Sequence, residues 1–283
     1  VNSAVFRRVQ RYGWDAAAEA YGEGWVPLLE RLTRACVARA GLRAGERVLD
    51  VATGPGVAAF AAAEAVGPRG LVTGVDISER MIAVAAGRAH AAGAANVRFE
   101  RRDMETTGAP DGAYDAVTSA FGLMYAADRR AAFAEMARVL APGGRASIVV
   151  WGRRVACGWA EVFPIVDAEV ESEVCPLFFS LGVPGALPAL FGLAGFTDVV
   201  EERVPVTLAW ESADEAAAAM LEGGPVALAW KRFSPEVRAL VRERYLASIE
   251  PFRRGGGYAV PSEVVFASAR RNGPFREPSR LSG

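Results

Sequence analysis

The chain has 283 residues, 52% of them hydrophobic and 23% charged, enough to bury a substantial core in one large domain or in a domain with a cap. Its 32 basic and 33 acidic residues leave a net charge of -1, and no basic block is long enough to track a phosphate backbone, so nucleic acid is not expected as a partner. The start, VNSAVFRRVQ, is charged early and lacks the apolar core of a signal peptide, and no run reaches the roughly 18 apolar residues of a membrane span, so a cytoplasmic protein without a membrane span is expected.

Helices are expected from Asp15 and again from Pro27 to Arg39, separated by a break at Gly22-Glu23-Gly24. Residues 1–42 read as a helical cover whose aromatics are Tyr12, Trp14, Tyr21 and Trp25. The stretch RVLDVATGPGVAAF at 47–60 then reads as a buried strand, a glycine turn and the start of a helix. Gly54 and Gly56 let the backbone turn tightly and approach a ligand, which would meet free N–H groups at the helix N-terminus. The spacing from Gly54 to Ala59 also fits the G-x-G-x-x-G/A fingerprint of dinucleotide enzymes, so the loop alone leaves the cofactor class open.

A second apolar strand, LVTGVDIS at 71–78, ends in Asp76, at about the twenty-residue separation of a ribose-binding carboxylate. The competing use of Asp76 is to cap the helix that begins near Ser78 and Glu79. A third strand, 96–100, leads into Arg101-Arg102-Asp103-Met104. The fourth unit, YDAVTSAFGLMY at 114–125, is a strand ending where a substrate would enter. The helix DRRAAFAEMARVL follows, stopped by Ala141-Pro142-Gly143-Gly144 and succeeded by a strand at 145–151. Residues 43–151 therefore alternate strand and helix, which implies a parallel sheet with ligands at the carboxyl ends of its strands.

Beyond Trp151 the pattern loosens into a substrate-cover insertion, 152–183, holding Trp159, Phe163, Phe178, Phe179 and a short acidic helix at 167–173. Residues 184–210 and 258–271 complete the sheet, with strands at 197–210 and 258–271. The connection between them, 211–257, far exceeds the two to five residues a hairpin needs. Its helices start at Ser212 and Ser234-Pro235, and a lid, a dimer surface and plain packing are equally open uses; residues 272–283 read as a frayed tail. Cys36, Cys157 and Cys175 are odd in number and widely spaced, so free thiols are expected and no metal site. His90, the single histidine, falls on a helix as an exposed residue, leaving no His-based acid or base.

In this order, from about Val26 to Trp151, the segments resemble a class I S-adenosylmethionine-dependent methyltransferase, nearest the ubiquinone/menaquinone C-methyltransferase-like small-molecule group. Asp50-Val51-Ala52-Thr53-Gly54-Pro55-Gly56 is similar to the family's first motif, an acidic residue followed by G-x-G-x-G, with Ala52 at the first glycine. Helix, Pro-Gly-Gly and apolar strand, after an aspartate-aromatic strand, carry the resemblance further than the loop does. It implies an α/β fold: a Rossmann-like, doubly wound, seven-stranded and mostly parallel sheet with an antiparallel C-terminal edge hairpin and helical cap insertions.

The resemblance also implies S-adenosylmethionine as cofactor, with Asp76 on the ribose and Ile77 against the adenine. Asp103 would accept from the adenine amino group and the Met104 N–H donate to the ring, with Tyr21 near the methionine end. Asp50, Ala52, Gly54, Gly56 and Ser119 complete the expected cofactor set. Phe121, Met124, Tyr125 and Trp151 are expected to line a pocket for a flat or hydrophobic small molecule. Methyl transfer from a sulfonium needs alignment and water exclusion more than a nucleophilic side chain, so no catalytic residue is assigned. The expected function is methylation at carbon or oxygen of a small, largely apolar metabolite such as a quinone precursor or polyketide. A homodimer is the candidate protein assembly. The alternatives are an NAD-type oxidoreductase, which would leave Asp50 and the Pro142-Gly143-Gly144 strand entrance unexplained, and an S-adenosylmethionine-binding cyclase or scaffold that transfers no methyl group.

Overall fold

The computed structural model describes residues 3–170 and 178–272. Cys175, residues 171–173 of the expected 167–173 helix and the tail beyond Asn272 lie outside them. The chain opens with two helices, α1 (Ser3–Gly24) and α2 (Val26–Arg39). An alternating region follows: β1 (Arg47–Val51), α3 (Val57–Val66), β2 (Leu71–Asp76), α4 (Glu79–Ala92), β3 (Val97–Arg101), β4 (Tyr114–Ala120), α5 (Arg129–Val139) and β5 (Leu140–Trp151). The remainder comprises α6 (Val162–Asp167), α7 (Ala186–Leu193), β6 (Phe196–Trp210), α8 (Ala213–Leu221), α9 (Ala227–Arg232), α10 (Pro235–Ile249), β7 (Arg253–Arg254) and β8 (Gly257–Arg271).

The sheet runs β3-β2-β1-β4-β5-β8-β6, parallel as far as β5 and antiparallel at β8 and β6, with the two-residue β7 added beside β8. Both faces are covered. Val48 of β1 and Ala116 of β4 join one apolar cluster with the alanines of α3, while their neighbours Leu49 and Val117 join the other. Two buried faces explain why these strands read as unbroken apolar runs. The small side chains of α3, Ala58, Ala59, Ala61 and Ala62, are buried and hold that helix close to the sheet.

Three boundaries differ from the sequence reading. The first helix begins at Ser3 and runs through Gly13 and Gly22, and the break falls at Trp25. Trp25 is buried and its Nε1 donates to the Ala219 carbonyl at 2.7 Å, which fixes the corner more firmly than the glycines loosen it. The β5 strand starts at Leu140, because Leu140 pairs with Tyr114 before Pro142-Gly143-Gly144 bulge out and pairing resumes at Arg145. Among the described residues of 152–183 an α-helix runs over Val162–Asp167, an apolar segment that buries Val162, Phe163 and Val166, and it ends at the residue where the acidic helix was expected to begin. Among the described residues no helix is long and apolar enough to cross a membrane.

Candidate functional site

The carboxyl ends of β1, β2, β3 and β4 converge under α1 on a cavity with about 690 Å³ of empty space. β1 runs into a turn where Ala52, Gly54 and Gly56 all have positive φ, at 55, 54 and 89°. Gly56 is the N-cap of α3, and a β-carbon there would press on the rings of Phe60 and Phe99. The turn is thus shaped by backbone, and Gly54 faces the cavity with Ala52 beside it. Across the cavity Phe121 also has positive φ, at 58°, and a β-carbon on Gly122 would overlap that of Ala52. The two loops therefore approach at backbone distance.

Asp76 ends β2 at the cavity wall. One of its oxygens accepts from the Gly54 N–H at 2.9 Å and the other from the Ser78 N–H at 2.9 Å. The capping of α4 belongs to Ser78, whose Oγ accepts from Met81 N–H. Burial pushes the Asp76 carboxyl up to about 6, against the pull of those backbone donors. Asp50 behaves alike: burial takes it up to about 6, although Thr53 and Thr118 donate hydroxyls to it at 2.6 and 2.8 Å.

Of the residues expected at the cofactor, Tyr21, Ala52, Gly54, Asp76, Ile77, Asp103 and Met104 line this one cavity. Asp50 lies behind the loop and lines a smaller adjoining cavity that shares Tyr21, Ala52, Gly54 and Ala120 with the first. Gly56 shapes the turn without lining either. Ser119 does not reach the cavity: its buried hydroxyl donates to the Val51 carbonyl at 2.8 Å, and its strand neighbour Ala120 faces the space instead. Asp103 accepts from the Glu105 N–H at 2.9 Å and meets Arg7 at 3.4 Å.

The expected substrate residues divide. Phe121 and Tyr125 line the main cavity, and they continue with Met124 and Trp151 into a neighbouring chamber walled by Trp14, Tyr21, Trp25, Trp159 and Phe178. Edge-on contacts join Trp14 to both Tyr21 and Tyr125, with centroids 5.6 and 5.0 Å apart. Among the described residues no acidic or basic side chain lines that chamber. Burial holds the phenols of Tyr21 and Tyr125 well above their ordinary pKa, so both stay protonated. His90 is exposed on α4, away from these walls.

The sequence reading passed over Arg7, Gln10 and Glu105. Arg7, Gln10, Trp14 and Tyr21 recur at three, four and seven residues along α1 and present one stripe to the cavity. That periodicity was available in the sequence, but it becomes visible only when the helix is drawn from Ser3. Glu105 is buried at the rim, where it takes Arg7 at 2.6 Å and the Asp128 N–H at 2.9 Å and so ties α1 to the loop after β3.

A mostly parallel sheet with its last strand reversed, and a nucleoside-sized cavity over a glycine turn with a carboxylate at the next strand end, define a cofactor-binding α/β enzyme. The family model described as "Methyltransferase domain" matches residues 48–144. Nocamycin O-methyltransferase of Saccharothrix syringae is 29% identical over 91% of this chain and 96% of its own. The ubiquinone/menaquinone biosynthesis C-methyltransferase UbiE of Ectopseudomonas oleovorans is 39% identical over 47% of this chain and 76% of its own. Against UbiE of Pseudomonas putida, at 37% identity, the chain spans about half the length, 54%.

Among solved structures, the [4+2]-cyclase SpnF superposes with a TM-score of 0.60 at 23% identity, covering 88% of this chain and 83% of that one. A phosphoethanolamine N-methyltransferase of Haemonchus contortus, solved with S-adenosylhomocysteine, gives 0.58 at 21% identity over 86% of this chain and 52% of its own. The chain belongs to the class I S-adenosylmethionine-dependent methyltransferases, and the oxidoreductase reading of its glycine loop falls away. S-adenosylmethionine is its cofactor, and the cavity's volume, its glycine turn and the cavity-facing Asp76 carboxylate accommodate a molecule of that size and polarity.

Proposed function

We propose that the protein methylates an oxygen or carbon nucleophile of a small, largely apolar metabolite held in the aromatic chamber. The observation that carries this reading is the continuity of the two spaces: Trp14, Tyr21, Phe121 and Tyr125 line both the nucleoside-sized cavity and the aromatic chamber beside it. Asp76 would accept from the ribose hydroxyls, Ile77 would lie against the adenine, Asp103 would accept from its amino group and the Met104 N–H would donate to the ring, all four residues lining the cavity. Tyr21 and the Gly54 turn face the methionine end, with Asp50 fixing the turn from behind through Thr53. When bound, S-adenosylmethionine supplies an electrophilic methyl group on a sulfonium.

The chain's own work is to align the acceptor with that methyl and to keep water out. Trp14, Tyr21 and Tyr125 close the junction between the two spaces. Tyr21 and Tyr125, held protonated, orient an acceptor oxygen as hydrogen-bond donors and do not remove its proton. Among the described residues the chamber walls offer no carboxylate or imidazole as a base, which favours an acceptor whose hydroxyl or enol ionises without help. The test is transfer of an isotope-labelled methyl group to a panel of hydroxyquinones, phenols and 1,3-dicarbonyl enols, with mass spectrometry locating the label. Labelled O- or C-methyl product from apolar acceptors supports the reading. Transfer only to charged amines contradicts it.

A further inference from the structure

The aromatic chamber has about 310 Å³ of empty space, enough for a ring or two and no more. Beside it, between α1, the end of α6 and α9, lies a much larger cavity of about 1340 Å³. It meets the chamber at Trp14, Gly224 and Pro225, and it meets the cofactor cavity at Gln10 and Trp14. All three spaces thus join at Trp14. The walls of the large cavity are mostly apolar, with Val9 of α1 facing Val166, Val226, Leu228 and Phe233.

Among the described residues Gln10, Glu169 and Arg232 interrupt those walls with polar groups. At the inner end Gln10 is 6% exposed, and its Nε2 has no hydrogen-bond partner. A buried amide donor without a protein partner that faces a cavity is open to donate a hydrogen bond to a ligand there. At the solvent-facing rim Arg232, the last residue of α9, lines the cavity and has no hydrogen-bond or ion-pair partner among the described residues. The other charged wall residue, Glu169, is held by Arg244 at 2.9 Å. Lys231 next to Arg232 donates to the Ala16 carbonyl at 2.7 Å and anchors this rim to α1.

We propose that this second cavity receives the body of the acceptor, and that the acceptor is an apolar molecule carrying an anionic oxygen group, a carboxylate or an acidic enol, set against Arg232. This rests on the methyltransferase reading of the neighbouring site and adds the acceptor's charge and the place of its body. Charge complementarity and continuity with the cofactor cavity both favour such an acid over a neutral hydrocarbon or a cation.

The test uses 1-pyrenebutyrate and its methyl ester, titrated into the full chain saturated with S-adenosylhomocysteine and read by energy transfer from tryptophan to pyrene. The acid is expected to bind about tenfold more tightly than the ester, and Arg232→Gln to abolish that preference while leaving affinity for the ester unchanged. Leu228→Trp, which fills the cavity, is expected to weaken both probes at least tenfold. Neither substitution should move the affinity for S-adenosylhomocysteine, which certifies that each variant is folded. Failure of the acid to bind, an equal affinity for acid and ester, a preference that survives Arg232→Gln, or indifference to Leu228→Trp in a folded variant each overturns the proposal. Loss of S-adenosylhomocysteine binding by the unsubstituted protein would strike the methyltransferase reading instead.

Discussion

The Asp76 carboxyl is buried and accepts from the N–H groups of Gly54 and Ser78, yet burial still pushes it up to about 6. An acid raised above its unfolded value favours the protonated folded state. Its contribution to stability is therefore complete below the unfolded pKa near 4 and is lost as the pH rises through about 6. Ribose hydroxyls, in contrast, donate best to the ionised form. Affinity for S-adenosylhomocysteine is thus expected to fall about tenfold between pH 7 and pH 5, one unit below the carboxyl's pKa, while the unliganded protein gains thermal stability over the same interval. Titration calorimetry and thermal melts at the two pH values check both signs, and Asp76→Asn should flatten the binding profile.

Ala52 stands where the family's first motif has glycine, and the structure shows what that substitution costs: φ is 55°, a region L-residues enter at about 1–2 kcal/mol. Ala52→Gly should relieve this strain, partly offset by glycine's larger entropy loss, for a net gain of up to about 1 kcal/mol in chemical denaturation with cofactor affinity retained. Ala52 also shows what sequence conveys at this scale. The departure from the motif was plain in the chain, and so were Asp50 and Asp76. The diversion of the Ser119 hydroxyl to the Val51 carbonyl was not, because which strand residue faces the cavity depends on register with β1.

Along the elements, the strands that bury both faces were legible as apolar runs, and the helix caps at Ser78, Ser212 and Ser234 were legible as residue types. The start of α1 was not, since Gly13 and Gly22 suggest interruptions that tertiary packing overrides. Glycine at Gly24 lets α1 lie against the backbone of Ala219, where a β-carbon would press at 3.0 Å. The indole of Trp25 then bonds the same residue's carbonyl. This corner joins the N-terminal helices to α8, so the 211–257 insert is packed onto α1 instead of standing free. Trp25→Phe leaves that buried carbonyl without its donor and a smaller ring in a packed site, and a loss of about 2–3 kcal/mol is expected in denaturant unfolding. A ΔΔG below about 0.5 kcal/mol would show that the corner is held by other contacts.

Over the whole molecule, the sheet order brings the glycine turn, Asp76 and the loop after β4 together at the carboxyl ends of neighbouring strands, and α1 closes that end with a single stripe of side chains. The order of motifs from Val26 to Trp151 carried this much in the sequence. The division of space into a cofactor cavity, a narrow aromatic chamber and a wide apolar cavity could not be read there, because it depends on how α1, α6 and α9 meet across more than two hundred residues of chain. Ligand in a hundredfold excess over its Kd should stabilise the fold by about 2.7 kcal/mol, seen as a rise in Tm that depends on concentration. The most direct test is calorimetric titration of the protein with S-adenosylmethionine and S-adenosylhomocysteine, beside Asp76→Ala. Micromolar binding of both, lost in the variant while its fold persists, is the predicted result; absence of binding to either by the unsubstituted protein would contradict the account.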